Sequence, residues 1–281
     1  MSVSDTLDRP ETGPFAAALR RARAARRMSQ LDLALTCDVS ARHLSFLESG
    51  RARPSREMVL QLAHGLLLPL GSQNALLQAA GFAPVFPASP LDSAALGPFR
   101  AVLDEMIARH SPYPALLCDR HWTILDANPT ARALLTPLHE GAGPMNVVRM
   151  LTDSPLAPVA IANYPEVLAE MTARIQLEAL EAADDAVLHD LMEALQAAAI
   201  LHPYRTSALQ RRPLAPVVLR TPGQDLGFLS TIAQFGTSQD VTIRDLRLEL
   251  LFPADDATRA AMVAMGAALS GQRMPGSDGI I

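Results

Sequence analysis

The residues best suited to chemistry lie in a short stretch near residue 40, where small, polar and basic side chains recur at helical spacing. Ser40 is a favoured helix N-cap, and Leu44 and Leu47, with Val39 just ahead, mark one buried face of the helix that follows. The opposite face presents Ala41, Arg42, Ser45 and Phe46. Such a face can read base edges in the major groove of DNA, because a guanidinium donates two hydrogen bonds to guanine and apolar groups contact the thymine methyl.

No motif in this chain points to enzyme chemistry as clearly as this helix face points to DNA binding. There is no Gly-rich phosphate loop, no G-x-S-x-G and no Cys/His cluster with zinc spacing. The seven histidines are scattered, and none is paired at i, i+4. His121, beside Trp122 on a predicted strand, could ligate a haem, although a histidine on the surface of a hairpin is the favoured interpretation. We therefore predict no catalytic residue, no metal site and no enzyme activity.

The composition indicates a folded protein that works inside the cell. The chain has 281 residues, 49% of them hydrophobic and 19% charged, which excludes a disordered chain. Only Cys37 and Cys118 are present, far apart, which excludes a disulfide scaffold and fits a reducing, cytoplasmic setting. No apolar run reaches the length of a membrane span, and the polar, acidic first residues do not resemble a signal peptide, so no membrane partner is predicted.

The net charge of −5 is distributed unevenly between the N-terminal and C-terminal parts of the chain. All 24 basic residues are arginine, as is typical of a GC-rich bacterial genome. Residues 1–83 carry ten arginines and seven acids, giving +3, whereas residues 84–281 carry fourteen arginines and twenty-two acids, giving −8. This distribution favours a polyanionic partner for the N-terminal part alone.

Capping residues divide the N-terminal part into five short helices. Helix starts are predicted at Phe15, Ser29, Ser40, Ser55 and Ser72. Asp32 follows Ser29 at the spacing of a capping box, and Gly50 is predicted to end the third helix in a left-handed conformation. The second and third helices are joined by a tight polar turn at 36–38.

This arrangement resembles the phage-repressor-like (Xre-type) helix-turn-helix family over residues 14–82. The resemblance is carried by the segment SQLDLALTCDVSARHLSFLESGRARPS at 29–55. It implies that Gln30, Ala41, Arg42 and Phe46 face the DNA, whereas His43 could lean on the core. Gln30 would hold a phosphate at the start of the second helix. The full predicted DNA-binding set is Gln30, Ser40, Ala41, Arg42, Ser45, Phe46, Ser49, Arg51 and Arg53. The alternative is that the arginines form only the solvated face of a helical bundle.

The pattern of residues 84–281 predicts a linker followed by an α+β domain. Four prolines make residues 84–98 the predicted linker between a domain at 1–83 and a second domain at 99–281. The second domain begins with an amphipathic helix and a hairpin at 115–126, followed by helices opened by Asn128 and near 146–151. Two further helices at 163–200 are predicted to break near Ala183. Strands are predicted at 215–220, 225–235 and 241–252, with a last helix at 253–270, which makes a five-stranded antiparallel sheet.

The second domain resembles the MmyB-like ligand-binding domain of bacterial regulators, which is PAS-like, over residues 100–265. The segments that carry the resemblance are PALLCDRHWTILDANPTARALL (114–135), NVVR (146–149), NYPE (163–166) and LSTIAQFGTSQDVTIRDLRLELLFPADDAT (229–258). The resemblance implies a pocket that takes an acyl chain such as a fatty acid. Tyr164 stands where tryptophan is usual, which alters the expected shape of the pocket.

Apolar residues on the predicted strands and covering helices are candidates for lining such a pocket. They are Trp122, Ile124, Phe228, Ile232 and Phe235 on strands, and Leu134, Val148 and Tyr164 on helices. For any one of them taken singly, ordinary core is the favoured interpretation. Arg149 either clamps a ligand carboxylate or forms an ion pair with an acid on a nearby helix, and the ion pair is favoured. Asn128 is expected to cap its helix.

These features predict an all-α, five-helix helix-turn-helix domain followed by an α+β PAS-like domain. The predicted function is a one-component transcriptional regulator that binds a double-stranded DNA operator under the control of a small apolar ligand. A homodimer is expected, since one recognition helix rarely suffices and an exposed apolar stripe, Leu96, Phe99, Leu103 and Met106, is predicted after the linker. The alternative is a DNA-tethered dimerisation or interaction module without a small-molecule ligand. No cofactor is predicted beyond a bound fatty acid or acyl ligand.

Overall fold

The computed structural model of the chain describes residues 13–182, 185–204, 216–236 and 238–271. The chain divides into two units, Met1–Pro87 with Leu177–Asp185, and Ala88–Gln176 with Ala186–Ile281. The predicted break at Ala183 and the tail after the last helix lie outside the described residues. None of the helices in the described ranges is long and apolar enough to cross a membrane.

The N-terminal segment of the first unit forms five helices, and the starts of the second, third and fourth follow the predicted serine caps. The five helices are α1 (Pro14–Ala25), α2 (Gln30–Thr36), α3 (Ala41–Glu48), α4 (Arg56–Gly65) and α5 (Leu70–Ala79). The hydroxyls of Ser29, Ser40 and Ser55 each accept the backbone N–H three residues further on, and Gly50 has φ of +74°. These predictions are confirmed, and the caps satisfy N–H groups that would otherwise lack a partner.

The predicted start of the fifth helix is wrong. The helix α5 begins at Leu70, and Ser72 is its third residue. Pro69 precedes it with φ of −55°, and its carbonyl accepts the N–H of Gln73 at 2.9 Å. Because proline has its φ already fixed and no N–H to satisfy, it opens this helix without a side-chain cap.

Leucines from all five helices contribute to the core of the first unit. Leu19, Leu33, Leu44, Leu47 and Leu62 are fully buried and belong to one cluster. Each contributes about 1.5–3 kcal/mol through removal from water. This core packs α2 and α3 together and leaves the other face of α3 outward.

The described residues after Pro87 form an antiparallel sheet and eight helices, all in the second unit except the last residues of the helix that ends at Glu181. The helices are α6 (Gly97–Arg109), α7 (Pro129–Leu135), α8 (Val147–Thr152), α9 (Ala157–Ala160), α10 (Tyr164–Glu181), α11 (Ala186–Leu201), α12 (Val241–Asp245) and α13 (Asp256–Gly271). The strands are β1 (Ala115–Cys118), β2 (Ile124–Ala127), β3 (Val217–Arg220), β4 (Asp225–Gln234) and β5 (Arg247–Pro253).

The five strands lie in the order β2-β1-β5-β4-β3, and every neighbouring pair is antiparallel. One face of the sheet, with Leu117 and Leu248, packs on Leu103 of α6. The other face packs on α7 through Leu116 and on α13 through Phe228. The predicted α+β fold with a five-stranded antiparallel sheet is confirmed.

The segment predicted as one long strand at 241–252 begins instead as a helix. Residues Val241–Asp245 form α12, and β5 starts only at Arg247. Asp240 explains the difference, because its carboxylate accepts the N–H groups of Thr242 and Ile243 at 2.9 and 3.3 Å. This N-cap stabilises a turn of helix over the alternating pattern.

The apolar stripe that begins at Leu96 is not exposed, contrary to expectation. Leu103 is 0% exposed, and Leu96 is also buried. The rings of Phe99 and Phe235 meet edge to face at a centroid distance of 4.9 Å, and Met106 packs against the same cluster. The stripe covers one face of the sheet, because that face would otherwise leave apolar side chains in water.

Candidate functional site

The outer face of α3 holds the residues predicted to read DNA. Ala41 and Arg42 are exposed, and Ser45 and Phe46 are half-buried. The Arg42 guanidinium carbon lies 5.4 Å from the centroid of the Phe46 ring, one helical turn away. This cation–π contact restrains the exposed arginine against the surface of α3. The face therefore carries one planar cation and two apolar groups.

The remaining predicted DNA contacts flank α3. The Ser40 hydroxyl caps the helix by accepting the His43 N–H at 3.1 Å, and the Ser49 hydroxyl donates to the Phe46 carbonyl at 3.2 Å. Arg51 and Arg53 are exposed just beyond the C-terminal end of α3. Both arginines can reach a phosphate without displacing a buried partner.

A buried polar network holds this surface in place, and sequence reasoning missed it. Glu48, only 2% exposed, accepts hydrogen bonds from Arg23 Nε at 2.6 Å and Nη2 at 2.9 Å. Gln30 Nε2 also donates to Glu48 at 2.7 Å, so the residue predicted to hold a phosphate is engaged within the protein as well. Hydrogen bonding to Glu48 is the main cause of the raised pKa of Arg23. The sequence contained one indication that Glu48 is buried: it follows the buried Leu44 at helical spacing.

The apolar residues predicted to line a ligand pocket fall into separate places. Ile124 packs near α7, Leu134 and Phe228 pack near α13, and Phe235 lies on the opposite face of the sheet, just after β4. Val148 is buried on α8, and Ile232 is half-buried on β4. The described structure therefore does not gather the predicted set around one centre.

Tyr164 lines an apolar groove. Its hydroxyl donates to the Leu151 carbonyl at 2.5 Å, its ring meets the His202 ring edge to face at 5.0 Å, and burial raises its pKa. The groove has a volume of about 400 Å³ and runs among Pro155, Pro158, Ala194, Ala198 and Leu201. Its walls are mostly apolar, as is usual for sites that hold small apolar ligands.

Arg149 forms the ion pair that was the favoured alternative. Its guanidinium contacts the carboxylate of Asp190 on α11 and lies 3.7 Å from that of Asp153. The arginine is partly exposed, so these contacts contribute modestly to stability. They join α8 to α11 beside the groove.

Trp122 lies in the turn between β1 and β2 rather than on a strand, which corrects its predicted place. It is 0% exposed and has φ of +64°. The guanidinium carbons of Arg174 and Arg247 lie 5.3 and 5.4 Å from its ring centroid. A bulky side chain in the left-handed region costs about 1–3 kcal/mol, and such strain is concentrated at functional sites.

Hydrogen bonds around the turn hold Trp122 in this conformation. The Asp119 carboxylate accepts the N–H groups of His121 and Thr123 at 2.8 and 2.9 Å. The Trp122 carbonyl accepts the N–H of Val147 at 3.0 Å. Because both sides of the turn are tied, the strain is offset by contacts that a relaxed turn would lose.

A polar pair joins β4 to β5, and its carboxyl group interacts with the charge of Arg174. The Ser230 hydroxyl donates to Glu249 Oε1 at 2.5 Å. Burial raises the pKa of Glu249, while the Ser230 hydrogen bond and the charge of Arg174 act in the opposite direction. Burial is likewise the main cause of the pKa of Cys118 lying well above its ordinary value. Sequence reasoning missed Arg174 and Glu249, since a charged residue on an amphipathic helix or alternating strand is normally assigned to solvent.

The described residues contain no group of three or more His, Cys, Asp or Glu side chains that could hold a metal ion. Residues 99–265 match the family model described as the MmyB-like transcription regulator ligand binding domain. Residues 19–71 match the model described as helix-turn-helix. A search of curated proteins found no match. The chain therefore belongs to the MmyB-like transcription regulator family, and it is a DNA-binding transcription regulator that carries a ligand-binding domain.

Proposed function

We propose that the protein is a one-component bacterial regulator whose N-terminal unit reads an operator sequence under the control of an apolar ligand in the second unit. The observation that carries this proposal is the outward face of α3, with Arg42 stacked on Phe46. The buried Arg23–Glu48 pair behind it supplies a rigid platform. A rigid base-reading face is what sequence-specific binding needs, because positional freedom lowers discrimination between bases.

The exposed arginines support a division of labour within the DNA-binding surface. Arg42 reads a base edge, and Arg51 and Arg53, which follow the C-terminal end of α3, bind phosphates. Since each chain presents one such helix, we propose a homodimer that binds two half-sites of a palindrome, about one helical turn apart.

For the ligand we propose a fatty acid or a related acyl derivative. The groove beside Tyr164 supports an elongated apolar ligand, because its walls are mostly apolar side chains. A hydrocarbon chain gains about 0.8 kcal/mol for each methylene removed from water. A ligand that packs between α8, α10 and α11 would change the free energy of the second unit and so bias the regulator between two states.

The test begins with selection of binding sequences from random duplex DNA by the purified full-length protein. We expect an enriched palindrome, protein–DNA complexes with two chains per duplex, and an affinity that changes when fatty acids of graded length are added. Native mass spectrometry of the free protein reports oligomer size and any lipid retained during purification. No enriched sequence would contradict the operator proposal, and a response to no acyl length would contradict the ligand proposal.

The second candidate is a DNA-tethered interaction module without a small-molecule ligand. Exposed apolar residues at the end of α11, Ile200 at 80% and Leu201 at 77%, are the observation in its favour. Large exposed apolar side chains that lie together mark surfaces for partners. Sequence-specific DNA binding without any acyl response, combined with a stable dimer, would support this candidate.

A further inference from the structure

The last residues of α10 belong to the first unit, although the helix begins in the second. The helix runs from Tyr164 to Glu181, and the first unit includes Leu177–Asp185. Within that segment Ala179 and Ala182 are buried, so this end of the helix is packed against other residues. One continuous helix therefore contributes residues to both units.

A groove within the first unit runs between α1 and α5, and we call it the α1–α5 groove. Its volume is about 570 Å³, and alanines of both helices line it, among them Ala18 and Ala22 on α1 and Ala75 and Ala79 on α5. Leu180, near the end of α10, lines the same groove although it is far from both helices along the chain. Small side chains leave room between two helices, and a leucine that enters this room is removed from water.

The helix α1 also holds the recognition helix α3 in place. Ala22 lines the α1–α5 groove, and the next residue, Arg23, donates to Glu48 of α3 at 2.6 and 2.9 Å. Such a bidentate pair has a demanding geometry, so a displacement of α1 disturbs it unless α3 moves as well. The position of α3 therefore depends on the position of α1.

The other end of α10 lines the apolar groove in the second unit. Tyr164 is the first residue of the helix, and Ala194, Ala198 and Leu201 of α11 line the same groove. At a rise of about 1.5 Å per residue, Tyr164 and Leu180 are about 24 Å apart along the helix axis. Rigid secondary elements can carry a displacement over such a distance.

We propose that α10 transmits occupancy of the groove beside Tyr164 to the recognition helix, through Leu180 in the α1–α5 groove and the Arg23–Glu48 pair. This proposal rests on the proposed function, in that it names the route by which an acyl ligand regulates DNA binding. A ligand that displaces the Tyr164 end of the helix shifts Leu180 against α1, and α1 then moves α3. Coupling between two sites typically changes an affinity by about 5- to 150-fold.

Leu180→Asp tests the contact in the α1–α5 groove, and Leu177→Asp is its matched control. Leu177 lies three residues earlier, is 66% exposed against 42% for Leu180, and is not among the described residues that line this groove. In hydrogen-exchange mass spectrometry of the full chain without ligand, Leu180→Asp should speed exchange in α1 and α5 by about fivefold or more, because loss of an apolar contact eases local opening. Leu177→Asp should change it by less than about twofold.

The second measurement is the effect of dodecanoic acid on the affinity of the full chain for its selected operator, after bound lipid has been removed on a hydrophobic resin. The wild-type affinity should change by about fivefold or more, together with altered exchange in α1. Leu180→Asp should still bind the acid in calorimetry, yet its operator affinity should change by less than about twofold. Leu180→Ala should retain part of the response, and Leu177→Asp should retain all of it.

The outcomes separate this proposal from the proposed function. Equal exchange in Leu180→Asp and Leu177→Asp would overturn the contact in the α1–α5 groove, and a full response of Leu180→Asp to the acid would overturn transmission through this residue. Acid binding by the wild-type protein with unchanged exchange in α1 would also overturn the proposal, and this comparison needs no variant to fold. Failure of the wild-type protein to bind the acid would contradict the acyl ligand of the proposed function, whereas the exchange comparison without ligand would still decide the contact of Leu180.

Discussion

Arg23 and Glu48, on α1 and α3, are joined by two hydrogen bonds of 2.6 and 2.9 Å between the guanidinium and the buried carboxylate. Gln30 completes the network from α2, so that one carboxylate ties three helices together. This buried pair positions α3 from the inner side of the first unit.

Loss of one member of this pair is expected to destabilise the first unit. Arg23→Met leaves Glu48 without its cation, and we expect a loss of about 3 kcal/mol in the free energy of unfolding. Arg109→Met, which breaks an exposed pair with Glu105, is the control and should cost less than about 1 kcal/mol. Denaturant unfolding measures both. Equal effects of the two substitutions would contradict a special part for the buried pair.

Arg42 is expected to determine the preference for one base in each half-site. Arg42→Ala should weaken binding to the selected operator by about 1–3 kcal/mol and relax the preference at a single position. Arg51→Ala is the matched comparison and should weaken all sequences alike, with a shallower dependence on salt. Fluorescence anisotropy with operator variants at several salt concentrations makes both measurements. Wild-type affinity of Arg42→Ala across those conditions would show that another residue reads the base.

Asp119 is expected to hold the strained turn at Trp122. Asp119→Ala removes the acceptor of two N–H groups, so we expect the second unit to lose about 2 kcal/mol of stability and the emission of Trp122 to shift. Asp104→Ala, on the exposed face of α6, serves as the control and should change stability by less than about 0.5 kcal/mol. Unchanged stability and emission in Asp119→Ala would mean that the other contacts suffice to hold the turn.

Glu249 is expected to make the second unit less stable as the pH rises. Because burial raises its pKa in the folded state, the folded protein holds this proton more tightly than the unfolded chain. The associated stability is present below the ordinary glutamate pKa of about 4.3 and is lost as the pH rises through the folded-state pKa.

The test for Glu249 is a pH series of thermal unfolding. Glu249→Gln cannot ionise, so its stability relative to the wild-type protein should increase with pH across that interval. Glu105→Gln, an exposed carboxylate on α6, is the control and should follow the wild-type curve. Parallel curves for Glu249→Gln and wild type would show that Arg174 and Ser230 fully compensate the burial of the charge.

Local sequence patterns were sufficient to predict much of this fold. Ser29, Ser40, Ser55 and Asn128 each accept the N–H of the residue three positions further on, so their effect can be predicted from the sequence itself. Gly50 adopts the left-handed conformation that its position after α3 required. The alternation of strand residues likewise indicates a sheet, because the two faces must meet different surroundings.

The tertiary structure alone decided which charged residues meet. Three pairs of residues that are far apart along the chain meet in the structure: Arg23–Glu48, Arg149–Asp190 and Trp122–Arg174. Whether such residues meet depends on helix packing, which no local spacing specifies. The sequence determined that the chain has a helix-turn-helix head and a sheet-based second domain, whereas burial of the Leu103 face on the sheet required the assembled core. The physical reason is that capping and periodicity act over a few residues, while burial and ion pairing act between surfaces that exist only after folding.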